Sequence, residues 1–111
     1  MEITTQKFKH CDLLSVSGKV DSYTAPDLIK TIEGLNKDNR FKIIVDLSNL
    51  EYMSSAGFRA LLLGQRNCKR YNRGEIVLAS VPKKVLSALE LTGFTPLFKI
   101  FDNITPAVGN F

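Results

Sequence analysis

The chain has 111 residues, a length that suits one compact domain around one core. Its 44% hydrophobic and 23% charged content is ordinary for a water-facing globular protein, and no apolar run reaches the roughly 20 residues needed to cross a bilayer, so no membrane association is expected. The net charge of +4 comes from lysines and arginines spread along the chain without interleaved aromatics, which argues against direct binding of DNA.

Residues 2–9, "EITTQKFK", alternate between polar and apolar positions like a strand with one wet face. Such a charged, alternating start is no secretory leader, and a cytoplasmic location is the expectation. "DLLSVSGKV" (12–20) follows as a second strand, with Gly18 marking a bulge or close approach. The short "KHCD" between them predicts an antiparallel hairpin. Thr24 and Asp27 have capping-box spacing, Pro26 suits a first helical turn, and Leu28, Ile32 and Leu35 form one apolar helical stripe.

"KIIVDL" (42–47) reads as a strand buried on both faces. A second helix is expected from about Ser55 to Arg73, stopped by Gly74. "EIVLAS" (75–80) is another buried strand, 81–93 a helix closed by Gly93, "LFKIF" (97–101) the last strand and "NITPAV" (103–108) a terminal helix or turn. Strands alternating with helices imply right-handed crossovers. The fold class is therefore α/β: one domain over residues 1–111, a small mixed sheet with an antiparallel N-terminal edge hairpin and otherwise parallel strands, and about four helices. Cys11 and Cys68 lack CxxC spacing and supply too few ligands for a zinc site, so they read as small buried residues. No metal or cofactor is expected, and no glycine-rich phosphate loop is present.

In sheets of this kind function gathers where strand C-termini meet helix N-termini, and "LEYMSSAGFRAL" (50–61) lies at such a junction. A helix start leaves N–H groups unpartnered and carries partial positive charge. One serine, Ser54 or Ser55, would act as the N-cap for ~1 kcal/mol. The other hydroxyl suits a phosphate, which brings about −1.5 to −2 charge and accepts from the same N–H groups. Ala56 and Gly57 would let a partner approach the backbone, and Arg59, one turn on, would pair with the anion.

Around this helix Gly57, Leu61, Gly64 and Cys68 share one face, and two glycines there imply close approach to the sheet. Arg59, Arg66, Arg70 and Arg73 fall on the opposite face with Lys69 at its margin. Leu63 lies beside them, and Phe58 and Leu62 pair at i, i+4 on a flank. That stripe is either a solvated face or, with Phe and Leu beside arginine, a docking surface.

Three segments, "VSGKVDSYTAPDL", "IIVDLSNLEYMSSAGFRALL" and "VLSALELTGFTPLFKIF", resemble the STAS family, the anti-sigma-factor antagonists of bacteria. The resemblance spans nearly the whole chain and is most specific at Ser-Ser-Ala-Gly. It implies a serine phosphorylated by a partner kinase, often the anti-sigma factor itself. The unmodified form would bind that partner and free the sigma factor, and a serine phosphatase would restore binding. The family also includes stress-signalling scaffolds and cytosolic domains of anion transporters; the latter are set aside for want of a membrane segment. The family pattern often reads Asp-Ser-Ser-Gly, so placing Gly57 on its glycine puts Ser55 at the acceptor and Ser54 at the aspartate. Ser54 is the alternative acceptor. Asp21 matches a family aspartate near the acceptor loop, where it would orient the hydroxyl and repel a phosphate, or else serve as a turn or cap residue. The expected phosphosite environment is Asp21, Ser54, Ala56 and Gly57. The expected partner-binding residues are Tyr52, Met53, Phe58, Arg59, Leu62 and Arg66.

An enzyme is not expected. The only histidine, His10, lies in the opening hairpin, and no G-x-S-x-G elbow precedes the serines. Asp21 and Asp46 would be the acid–base pair of an enzymatic reading, but Asp46 stands in a strand whose end is more simply structural. A two-component receiver needs an acidic pair where this chain has "KHCD". The serious alternative keeps the fold and drops the switch: a STAS scaffold or a subunit of a larger signalling or lipid-transport complex.

Overall fold

The computed structural model describes residues 1–111. β1 (Glu2–Lys7) runs antiparallel to β2 (Asp12–Val20), in register from Glu2 opposite Ser17 to Lys7 opposite Asp12. β3 (Lys42–Asp46) then pairs in parallel with the first part of β2. A strand the sequence did not suggest, β4 (Leu50–Met53), pairs in parallel with the end of β2. β5 (Glu75–Ala79) and β6 (Lys99–Phe101) complete a sheet of order β1-β2-β3-β5-β6, with β4 on β2. Gly18 adopts φ +82 where the pairing of β2 shifts register against β4. Only glycine adopts that backbone without cost, so one long strand can serve two short neighbours.

The helices α1 (Ala25–Lys37), α2 (Ser55–Lys69) and α3 (Lys83–Thr92) cover one face of the sheet. Leu28 and Ile32 of α1, Leu61 of α2 and Leu89 of α3 pack there on Leu14, Val16, Ile43, Val45, Ile76 and Leu78. The alternate strand residues Leu13, Ile44, Val77 and Ala79 turn to the other face. There Ala107 of the short α4 (Ile104–Gly109) covers them. Consecutive residues of β3 and β5 thus enter two different clusters, which is why these runs are apolar throughout. No helix is long and apolar enough to cross a membrane.

Several expected boundaries move. α2 ends at Lys69, because Arg70 turns extended at φ −58 and ψ 132 and Tyr71 and Asn72, in the short turn that follows, take left-handed backbone at φ 60 and 57. Arg73 therefore leaves the arginine stripe. It donates to the carbonyls of Asn67 at 2.6 Å and Arg70 at 3.0 Å, and its guanidinium lies 3.9 Å above the Phe41 ring. A cation stabilises a helix C-terminus in this way. Gly74 is not the stop; a Cβ there would collide with the Phe41 backbone. Thr24 and Asp27 form no capping box. The Thr24 hydroxyl instead accepts from the Asp21 N–H at 3.0 Å. Gly93 closes α3 at φ 77, and a 3-10 turn (Thr95–Leu97) shortens the last strand.

Two polar ties hold the layers. Arg40 Nε donates to Asp12 Oδ2 at 2.6 Å, while its Nη2 donates to the carbonyls of Phe8 and Cys11, pinning the β1–β2 turn. The buried Gln65 of α2 exchanges hydrogen bonds with the backbone N–H and C=O of Ile76 and donates to Leu97. Cys11 and Cys68 are free, buried thiols whose pKa burial pushes up.

Candidate functional site

The serine turn hangs from the last residues of two parallel strands. Val20 of β2 pairs with Met53 of β4, and the next residue, Ser54, donates its N–H to the Val20 carbonyl at 2.8 Å. Ser54 is extended, at φ −80 and ψ 173, and occupies the N-cap position of α2, where its carbonyl accepts from the Phe58 N–H at 3.2 Å. Its side chain does not cap the helix. The Ser54 Oγ is buried with no hydrogen-bond partner, contrary to the expectation that one hydroxyl would act as a cap.

Ser55, the first residue of α2, is exposed. The N–H groups of Ser55, Ala56 and Gly57 have no protein acceptor. The site therefore holds an accessible hydroxyl beside unpartnered donors at the positive end of a fifteen-residue helix.

Gly57 has a different role from open backbone. A Cβ on it would lie 2.5 Å from Met53 Cγ and 2.9 Å from Val20 Cγ1, so glycine lets the first turn of α2 rest on the ends of β2 and β4. Met53 and Phe58, both 3% exposed, belong to the core. Their expected docking role is corrected on that ground: Met53 ends β4 beneath α2, and Phe58 falls on the inner side of the helix rather than its flank. Of the expected docking residues, Tyr52, Arg59 and Arg66 are exposed and Leu62 is half-buried.

Asp21 follows Val20 directly and so stands at the strand end beside Ser54. Its Oδ1 accepts from the N–H groups of Tyr23 at 2.9 Å and Thr24 at 3.0 Å. The Thr24 backbone bond, then those from the Tyr23 N–H and Thr24 hydroxyl, hold the carboxyl below its ordinary pKa. It makes no hydrogen bond to either serine, so its immediate role is that of a turn residue. With Lys19, Tyr52, Met53, Lys84 and Ala88 it lines a groove of about 700 Å³ between β4 and α3. Lys84 and Ala88 carry no sequence signal for this groove. Their i, i+4 spacing was visible, but the strand they face was not.

His10 lies at the opposite end of β2, nine residues at ~3.3 Å each from the serine turn. Asp46 accepts from the Ser48 N–H at 3.0 Å and the Ser15 hydroxyl at 3.5 Å, and lines a separate polar cavity. The fold does not bring Asp21 and Asp46 together.

A family model described as "Mlab, STAS domain" matches residues 3–99. The protein of Staphylococcus aureus named anti-sigma-B factor antagonist is 31% identical over 101 residues, 90% of each chain. Among solved structures, an anti-sigma factor antagonist from Mycobacterium paratuberculosis superposes with a TM-score of 0.87 at 22% identity, over 98% of this chain and 92% of that one. The Bacillus cell fate determinant SpoIIAA in its phosphorylated form gives 0.76 at 14% identity, over 98% of both. At these identities the structural likeness is one of fold.

Proposed function

The chain belongs to the STAS domain family, and on that premise we propose that it is an anti-sigma-factor antagonist whose hold on its partner is released by phosphorylation of Ser55. The observation that carries this reading is the contrast between the two serines: Ser55 is exposed beside unpartnered N–H groups, whereas the Ser54 hydroxyl is buried. A kinase reaches the first without disturbing the fold and the second only by opening the turn.

In the unmodified state the start of α2, with Tyr52 and Arg59, carries no anionic group of its own, and an anti-sigma factor with serine kinase activity docks there. A phosphate on Ser55 accepts from the N–H groups of Ser55, Ala56 and Gly57 and pairs with Arg59, so the fold is kept. The same phosphate places about −1.5 to −2 charge where a partner must exclude water, close to the Asp21 carboxylate. Desolvation and like-charge repulsion then oppose docking, and a serine phosphatase reverses the change. The role requires no turnover by this chain and suits a cytoplasmic protein.

Incubation with the anti-sigma factor of the same genome and ATP, followed by mass-spectrometric mapping, tests the assignment. One phosphate on Ser55 is the expected result; phosphate on Ser54, or none, contradicts it. A second reading, a non-switching scaffold or subunit of a larger signalling or lipid-transport complex, draws support from Ser54 standing where the family pattern carries aspartate. In that case partner binding is indifferent to charge at position 55.

A further inference from the structure

The C-terminal half of α2 carries a second surface. Leu62, Phe94 and Leu97 floor a groove of about 630 Å³ between α2 and the Thr95–Leu97 turn, and Arg66, Lys69 and Arg70 rim it. Leu97 is 43% exposed, and Leu63 on the same helix is 47% exposed. No acidic residue lines the groove, and α2 has no Asp or Glu in its fifteen residues. The two salt bridges of the molecule, Arg40–Asp12 and Lys99–Glu75, use none of the rim cations.

This arrangement costs the isolated domain. Arg66 repels Lys69 at i+3 and Arg70 at i+4, and exposed apolar side chains stay in water. Both costs vanish against one kind of partner: an apolar anchor for the floor, flanked by carboxylates for the rim. The groove is lined on one side by α2, the setting in which an amphipathic helix lays side chains at i, i+3 and i+4. We infer that this groove docks an acidic amphipathic helix of a partner protein. Arg66 follows Ser55 by about 16 Å along the helix, at 1.5 Å per residue, beyond the Debye length of about 8 Å at physiological salt. Docking here is therefore insensitive to charge on Ser55, and the groove anchors a partner whose grip at the serine turn comes and goes. The inference rests on α2 as a docking helix and not on whether Ser55 is modified.

The test uses the full chain and two fluorescein-labelled helical peptides with leucines on one face, one carrying glutamates and the other lysines on the opposite face. Anisotropy titration should show the glutamate peptide binding at least about tenfold more tightly than the lysine peptide. Amide shift changes should centre on Leu62, Phe94 and Leu97. The double variant Arg66→Glu, Arg70→Glu, both exposed positions, should lose about tenfold in affinity with unchanged circular dichroism, while Ser55→Asp stays within about twofold. Equal affinity for both peptides, no binding, or shifts centred on the serine turn would each overturn the inference. Loss of binding in Ser55→Asp would overturn it and leave the switch standing. Groove binding in a protein whose Ser55 no kinase modifies would remove the switch alone.

Discussion

The N–H of Ser54 donates to the carbonyl of Val20 at 2.8 Å, which fastens the serine turn to the end of β2, and the Ser54 hydroxyl beside that bond is buried. Buried there without a partner, that hydroxyl costs desolvation free energy and returns no bond. Ser54→Ala is therefore predicted to be neutral or to stabilise the fold by up to about 1 kcal/mol. A working N-cap would instead lose about 1 kcal/mol on the same substitution. Urea unfolding distinguishes the two by sign.

The glycines of α2 are predicted to be required for packing, against their helix propensity. A Cβ on Gly64 would lie 2.8 Å from Ile76 Cδ1 and 3.1 Å from Ile32 Cδ1. Alanine in a helix interior gains up to about 1 kcal/mol over glycine, but overpacking a core costs about 1–3 kcal/mol. Gly64→Ala should lower stability on balance, by thermal or urea unfolding. A more stable variant would show that the Ile76 and Ile32 side chains give way at little cost.

The elements most legible in the sequence were those whose local pattern and burial agree. The runs 42–47 and 75–80 are apolar because both faces of β3 and β5 are covered, and Gly18 and Gly93 stand at the positive φ values their positions demand. What escaped depended on contacts distant in sequence. β4 has four residues, with Leu50 and Met53 inward and Glu51 and Tyr52 outward, so it shows no period of two and exists because β2 extends past β3. Helical spacing alone puts Phe58 on a flank, whereas packing of α2 onto the core buries it. The serine junction itself was legible, but not which hydroxyl faces water, since that depends on how the turn packs against the rest of the fold.

Arg40 is predicted to matter more than its surface position suggests. Removing it leaves Asp12, 2% exposed, without its partner, and takes one hydrogen bond from each of the carbonyls of Phe8 and Cys11. Arg40→Ala should cost about 3 kcal/mol, the low end for breaking a buried ion pair because Arg40 itself is partly solvated. Asp12→Asn should cost less, since water can still reach the guanidinium. Equal losses in the two variants would contradict this account.

Asp21 should link stability to acid pH. Its folded pKa is lowered, first by the Thr24 backbone bond, so the folded protein holds this proton less tightly than the unfolded chain. The stabilisation is fully present above the unfolded value of about 3.9 and is lost as pH falls through the lower folded value. Asp21→Asn should therefore be less stable than the parent at pH 7, with the gap closing below about pH 4. A gap that does not change with pH would assign the effect to hydrogen bonding without charge.

Affinity of the anti-sigma factor for Ser55→Ala and Ser55→Asp, measured side by side by calorimetry, tests the switch most directly. Ser55→Ala should bind like the parent, and Ser55→Asp at least about tenfold more weakly, since one misplaced interfacial charge costs several kcal/mol and a carboxylate carries only part of the charge of a phosphate. If both variants bind like the parent, the hydroxyl at the start of α2 is not what governs the partner's release.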